Sequence, residues 1–385
     1  MKFARNAQSL DASYIREILS AANQPEMISM AGGLPASSLL PVELVRATCE
    51  SLADNSHLFQ YGNSQGFGPL LDTLQRSSKT QNPWLICNGS QQALDLIARA
   101  LLEPGDQVIA EMPAYLGALQ VFQLSGIKVC PLMSSTSGPD LDQLESYLKG
   151  GNIKLFYSVP DFHNPTGRVW STETRIAVAK LCRHYGVTLV EDAPYRELRF
   201  AGEQLDTVSE HCPELSISLK SFSKIGFPGL RVGAMSGPAD FIAVAERIKQ
   251  ATDLHTGIPQ QAMIEALLNH PEFSEHLTRL RQGYQSRYQH LSDALQQQLG
   301  DLVQFDTVEG GMFVWLTLTQ GNSSDVAARA LQHKLAVVPG AAFYPADMAL
   351  ENSALRLNFS NTEPALFPEA VNRLAQALQP MALTA

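Results

Sequence analysis

The chain has no long apolar run, no paired cysteines and no excess of positive charge. No stretch is long and apolar enough to span a bilayer. Residues 1–19 lack the continuous apolar core and cleavage signal of a secretory leader, so secretion is not expected. The five cysteines, Cys49, Cys87, Cys130, Cys182 and Cys212, are widely spaced, odd in number and form no CxxC pair. Neither a metal site nor a disulfide framework is therefore expected, a reducing cytoplasm is the expected setting, and all five thiols are expected to be buried. A net charge of −10, from 28 Lys and Arg against 38 Asp and Glu, disfavours broad nucleic-acid or acidic-membrane binding. It leaves room for a local basic pocket that takes a small anion. There is no repeat, low-complexity tract or long linker. What is present is ordinary globular composition, 45% apolar and 17% charged. At 385 residues the chain is long enough for a large domain and a smaller partner.

The middle of the chain alternates short apolar runs with helical periodicity. Helices are expected at 91–102, 115–124 and 173–185, and strands at 108–110, 154–159, 187–191 and 215–219. That alternation argues for an α/β fold with a mostly parallel central sheet flanked by helices. Runs such as Thr188-Leu-Val190 fit strands buried on both faces. After Pro271 the pattern changes to one long helix at 273–299, then strands at 311–316 and 354–359, which reads as a smaller α+β domain.

Four short motifs carry candidate chemistry. In Ser221-Phe-Ser-Lys224, followed by Arg231, a lysine sits just beyond an apolar strand. There a partly desolvated amine loses its proton readily, as imine formation requires. Ser221, Ser223 and Arg231 together suit a phosphate dianion. Asn88-Gly-Ser90-Gln91-Gln92 opens a helix after a strand, where unpaired N–H groups favour an anion. Asn164-Pro-Thr-Gly167 is a turn whose amide could serve a phenolate or a carboxylate. Glu191-Asp192-Ala-Pro-Tyr195 ends a very apolar strand, placing Asp192 where a carboxylate could pair with a protonated pyridine nitrogen. Each motif alone reads equally as a polar turn, a helix cap with Ser90 as acceptor, or a solvated strand end.

In chain order, from Asn88 to Arg231, and in one α/β region, the four motifs resemble the fold-type I pyridoxal 5′-phosphate (PLP)-dependent aminotransferases of class I/II, over nearly the whole chain. The resemblance implies PLP held as a Schiff base on Lys224. It places the phosphate on Ser90, Gln91, Ser221, Ser223 and Arg231, and the ring under Tyr115. Asn164 and Tyr195 would hold the phenolic oxygen, and Asp192 the ring nitrogen. Lys224 would also serve as the base that moves the substrate α-proton. Arg356 and Asn164 would clamp the α-carboxylate. Tyr61 would reach the phosphate in a neighbouring subunit's site, making a homodimer with shared active sites. By the same resemblance the chain divides into an amino-terminal segment at 1–40 packing with the small domain, a large PLP-binding domain at 41–289, and a small domain at 290–385.

Ser29-Met-Ala-Gly-Gly33-Leu-Pro35, Gly89-Ser-Gln-Gln-Ala-Leu-Asp-Leu96, Asp253-Leu-His-Thr256 and Gly310-Gly-Met-Phe-Val-Trp315 resemble the 2-aminoadipate and kynurenine aminotransferase II-like branch. There a turn at Gly33 closes over the substrate, and an arginine at Arg16 contacts acidic side chains in some relatives. Asp161-Phe-His163, Pro194 and Ile225-Gly-Phe227 depart from the branch's usual residues. The expected reaction is ping-pong transamination between an L-amino acid and a 2-oxo acid. A lyase, racemase or cyclising synthase would use the same residues. A PLP-binding sensor of the GntR/MocR kind would need a DNA-binding region, for which residues before Ile28 leave no room. No GxGxxG fingerprint supports a dehydrogenase.

Overall fold

The computed structural model describes residues 1–3, 18, 24–345, 348 and 353–379. Its first strand, β1 (Ile28–Ser29), pairs in parallel with Leu335–Ala336 near the other end of the chain. The alternating middle becomes eight strands: β2 (Trp84–Cys87), β3 (Gln107–Met112), β4 (Lys128–Ser135), β5 (Gly138–Pro139), β6 (Ile153–Ser158), β7 (Thr188–Asp192), β8 (Ser216–Ser221) and β9 (Gly233–Ser236). They lie in one sheet in the order β2-β9-β8-β7-β6-β3-β4-β5. The five strands from β8 to β4 run parallel, while β9 runs antiparallel to both β2 and β8. The sheet is therefore mixed around a parallel centre, because the chain doubles back through the short, glycine-led β9.

Both faces are buried, as parallel strands require. On one face Val190, Ile217 and Leu219 pack with Leu94 and Ile97 of helix α1 (Ser90–Leu101). On the other, Leu189 and Phe156 pack with Val178 and Cys182 of helix α2 (Thr172–Tyr185). Helix α2 starts where Ser171 Oγ accepts the Thr174 N–H at 3.2 Å and stops at Gly186, which is left-handed at φ +66°. Helix α3 (Ala239–Asp253) backs α1.

Helix α4 (Phe273–Leu299) leads out of the large sheet and runs across the 289/290 boundary expected from sequence. Beyond it, β10 (Val303–Phe305), β11 (Phe313–Leu318), β13 (Val338–Pro339) and β14 (Ala354–Asn358) form an antiparallel sheet in the order β10-β11-β14-β13; β12 is the Leu335–Ala336 partner of β1. Residues 28–30 are tied to β12 and β14: Met30 N–H donates to Ala336 O and Asn358 N–H to Met30 O, each at 2.8 Å. Among the described residues no helix is long and apolar enough to cross a membrane, and no cluster of His, Cys, Asp or Glu could hold a metal ion. The five cysteines are free, and burial at all five is corrected at two of them: Cys49 is exposed on the short helix Arg46–Ser51, and Cys130 on β4 is half-buried.

Candidate active site

The carboxyl ends of the parallel strands open into a cavity of about 410 Å³, the place where open α/β sheets collect ligands. Lys224 follows β8 and lies at the centre of this wall. Its Nζ donates to Gly33 O at 2.8 Å. Burial, with the Arg231 and Arg356 guanidinium groups nearby, pushes its amine down to about 8. That brings a free-base nucleophile within reach near neutral pH.

Asp192 ends β7. Adjacent strand residues point to opposite faces, so Asp192 enters the cavity while Glu191 turns behind the sheet and accepts the Val208 and Ser209 N–H groups at 3.0 and 2.8 Å. Burial raises the Asp192 carboxyl to about 7, even with Tyr157 Oη donating to Oδ2 at 3.0 Å. Its Oδ1 is buried with no hydrogen-bond partner. A buried carboxylate oxygen in that state is set for a cationic donor.

Asn164 and Tyr195 meet over the same floor: Asn164 Nδ2 donates to Tyr195 Oη at 3.2 Å. The other half of the Asn164 amide accepts from Arg356 Nη1 at 2.9 Å. Arg356 comes from β14 in the small sheet. Its Nη2 also donates to Ala31 O, and its guanidinium lies 4.4 Å from the Phe313 ring centroid. Burial lowers the Arg356 pKa to about 10, and Nε has no partner. A buried cation with a free N–H is a receptor for a carboxylate.

Ser90, Gln91, Ser221, Ser223 and Arg231 line one end of the cavity, and Tyr115 lies beside them. Gly89 is required at the turn: its φ is +77°, and a Cβ there would stand 2.7 Å from Arg231 Nη2. The helix cap expected of Ser90 is not made; Gly89 occupies the cap position and Ser90 Oγ is buried without a partner. Sequence reasoning missed the support beneath this turn. Asp253 Oδ2 accepts from Asn88 Nδ2 and Gln92 Nε2, each at 2.6 Å, and from the fully buried Lys249 Nζ at 3.0 Å.

Gly33 lines the cavity with Leu34. Arg16 lies outside the described residues. Tyr61 stands away from the cavity, 78% exposed, with its ring edge-on to His255 at 5.9 Å. His163 is packing rather than chemistry: its Nδ1 is 2.9 Å from Thr166 Oγ1, and burial drives its pKa down to about 3. The unusual Asp161 is fully buried and joins Arg175 at 2.8 Å and Arg196 at 3.0 Å. That departure from the resembled branch is structural.

Residues 26–374 match the family described as aminotransferase class I and II. The 2-aminoadipate transaminase of Thermus thermophilus is 36% identical, over 98% of this chain and 96% of the relative. Aromatic-amino-acid aminotransferase 1 of Thermococcus litoralis is 33% identical, over 98% and 94%. The crystal structure of Pyrococcus horikoshii kynurenine aminotransferase in complex with PMP superposes with a TM-score of 0.93 at 34% identity, covering 98% of each chain.

Proposed function

The chain belongs to the class I and II aminotransferases and is a PLP-dependent transaminase, and from that premise we propose how its residues divide the work. The residues fit the cofactor. Ser90 Oγ and Asp192 Oδ1 are buried polar atoms without partners, and the turn at Gly89, at φ +77°, brings its backbone close to the Arg231 guanidinium. Ser90, Gln91, Ser221, Ser223 and Arg231 would hold the phosphate, Tyr115 would cover the ring, and Asn164 with Tyr195 would hold the phenolic oxygen. When bound, PLP supplies an electron sink that acidifies the substrate α-carbon. Asp192 would keep a proton on the ring nitrogen through its unpartnered Oδ1. Lys224 would hold the cofactor through Nζ, and its amine, pushed toward the free base by burial, is placed to take the proton from the substrate α-carbon. Arg356 receives the α-carboxylate in a bidentate manner, with Asn164 fixing its plane and Gly33 closing above.

The observation that carries this reading is the meeting of Lys224, Asp192, Tyr195, Asn164 and Arg356 in one cavity from four separated chain segments. Leu34, Leu116, Gln120 and Phe313 also line that cavity, and none of the four is charged. This supports donors with long or bulky side chains, in line with relatives named for 2-aminoadipate, aromatic amino acids and kynurenine. The test is product chromatography with 2-aminoadipate, kynurenine, phenylalanine and alanine as donors to 2-oxoglutarate. Oxo acids should form from the first three; a preference for alanine would overturn the reading. A homodimer with shared sites is supported by exposed Val42, Phe59, Tyr61 and Leu254, an apolar set that water disfavours. The five free cysteines fit a reducing cytoplasm.

A further inference from the structure

A larger cavity, about 620 Å³, lies behind the catalytic wall on the opposite face of the sheet. It is within the size range of small-molecule sites. Its position follows from strand alternation. Ile217 and Leu219 of β8 pack toward α1, so Ser218 and Lys220 face the other way, into this space.

Most of the charges around it are in ion pairs. Lys79 pairs with Asp206 and Glu210, Arg196 with Asp161, Arg199 with Glu309 and Arg281 with Glu197. The remaining acid, Glu191, is saturated by two backbone N–H groups. Among the lining ions Lys220 makes no hydrogen bond or ion pair to any described residue, and Arg199 Nε and Nη2 are buried without a partner. Burial pushes the Lys220 pKa below the usual lysine value, with Arg196 adding to the shift and the Glu197 carboxylate opposing it. Beside Lys220, Trp84, Phe200 and Ile225 give the cavity an apolar wall. An ammonium without an ion pair, in a cavity with an aromatic wall and free Arg199 N–H groups, suits a carboxylate on an apolar body.

We propose that this cavity is a second ligand site, distinct from the catalytic cavity, that takes a small aromatic monocarboxylate with its carboxylate on Lys220. Pro194 and Ser221 line both cavities, so the bound acid shares a wall with the residues holding the cofactor. The inference does not rest on the transaminase reading, because its readout is binding.

Indole-3-acetate is the probe. PLP-loaded protein is titrated by calorimetry as wild type, Lys220→Met and Arg356→Leu. The expected result is saturable binding, with a Kd in the millimolar range or tighter, that weakens at least about tenfold in Lys220→Met and persists in Arg356→Leu. In wild-type protein the same probe should slow acetylation of Lys220 by acetic anhydride, read by peptide mass spectrometry, so the test stands even where the methionine variant fails to fold. Absence of saturable binding, binding lost with Arg356 rather than Lys220, or unprotected Lys220 acetylation at saturating probe would each overturn the proposal.

Discussion

Replacing Lys224 with methionine should stabilise the cofactor-free protein at neutral pH. The Lys224 amine is pushed from 10.5 down to about 8, first by burial and then by Arg231 and Arg356. At about 1.36 kcal/mol per pH unit of difference, keeping that ammonium in the folded chain costs about 3 kcal/mol at pH 7. Below about 8 folded and unfolded chains both carry the proton, so the cost is full. Between about 8 and 10.5 the unfolded chain binds the proton and the folded chain does not, so stability rises with pH and the cost shrinks. Near pH 9.5 about 1.4 kcal/mol remains. Methionine keeps an unbranched stem and removes the charge, but gives up the bond to Gly33 O, which is worth about 1 kcal/mol. The net gain is about 2 kcal/mol at pH 7 and close to nothing at pH 9.5. Urea unfolding of cofactor-free wild type and variant, at one fixed protein concentration across that pH range, measures it. A variant less stable than wild type at pH 7, or an advantage that does not shrink with rising pH, would refute the reasoning.

Other consequences follow from single contacts. Arg356→Leu removes the buried carboxylate receptor and leaves Asn164 Oδ1 without its donor; kcat/KM for amino acids should fall by about 10²–10³ in steady-state assays, with KM rising. Asp161→Asn strands the fully buried Arg175 and should cost about 3–5 kcal/mol in denaturant titration, while KM of the surviving folded enzyme stays unchanged. Asp253→Asn loosens the turn that Asn88 and Gln92 form over Lys249; the PLP dissociation constant, read by equilibrium dialysis, should rise about tenfold or more.

Much of the catalytic cavity was legible because each contributing residue ends an apolar strand or opens a helix, and such ends are readable from local pattern. Lys224 beyond β8, Asp192 at the end of β7 and Ser90 at the start of α1 are of this kind. Arg356 is different. It sits mid-strand in β14 among apolar neighbours, and periodicity alone makes it an edge charge; the family resemblance supplied its role. The antiparallel β9 was illegible because Gly233-Ala-Met-Ser is too short and too glycine-rich to read as a strand. Behind the sheet, the second cavity is walled by the loop after Ser77, the stretch from Glu191 to Glu210, β8 and Arg281. Each looks like ordinary polar surface in sequence, and the odd charge, Lys220, emerges once the other ions have found partners. Asp161 read as a departure near the pocket, and its double ion pair accounts for it without invoking substrate.

The most direct test of the central claim is the near-visible absorption spectrum of the PLP-loaded protein, for wild type and Lys224→Ala, before and after adding an amino donor. In wild type the near-visible band of cofactor attached to Lys224 should give way to the ultraviolet band of the aminated cofactor, and a 2-oxo acid should restore it. Lys224→Ala should show no such cycling. Repeated cycling in the alanine variant, or no cofactor band in wild type after reconstitution, would contradict the assignment of the chemistry to Lys224.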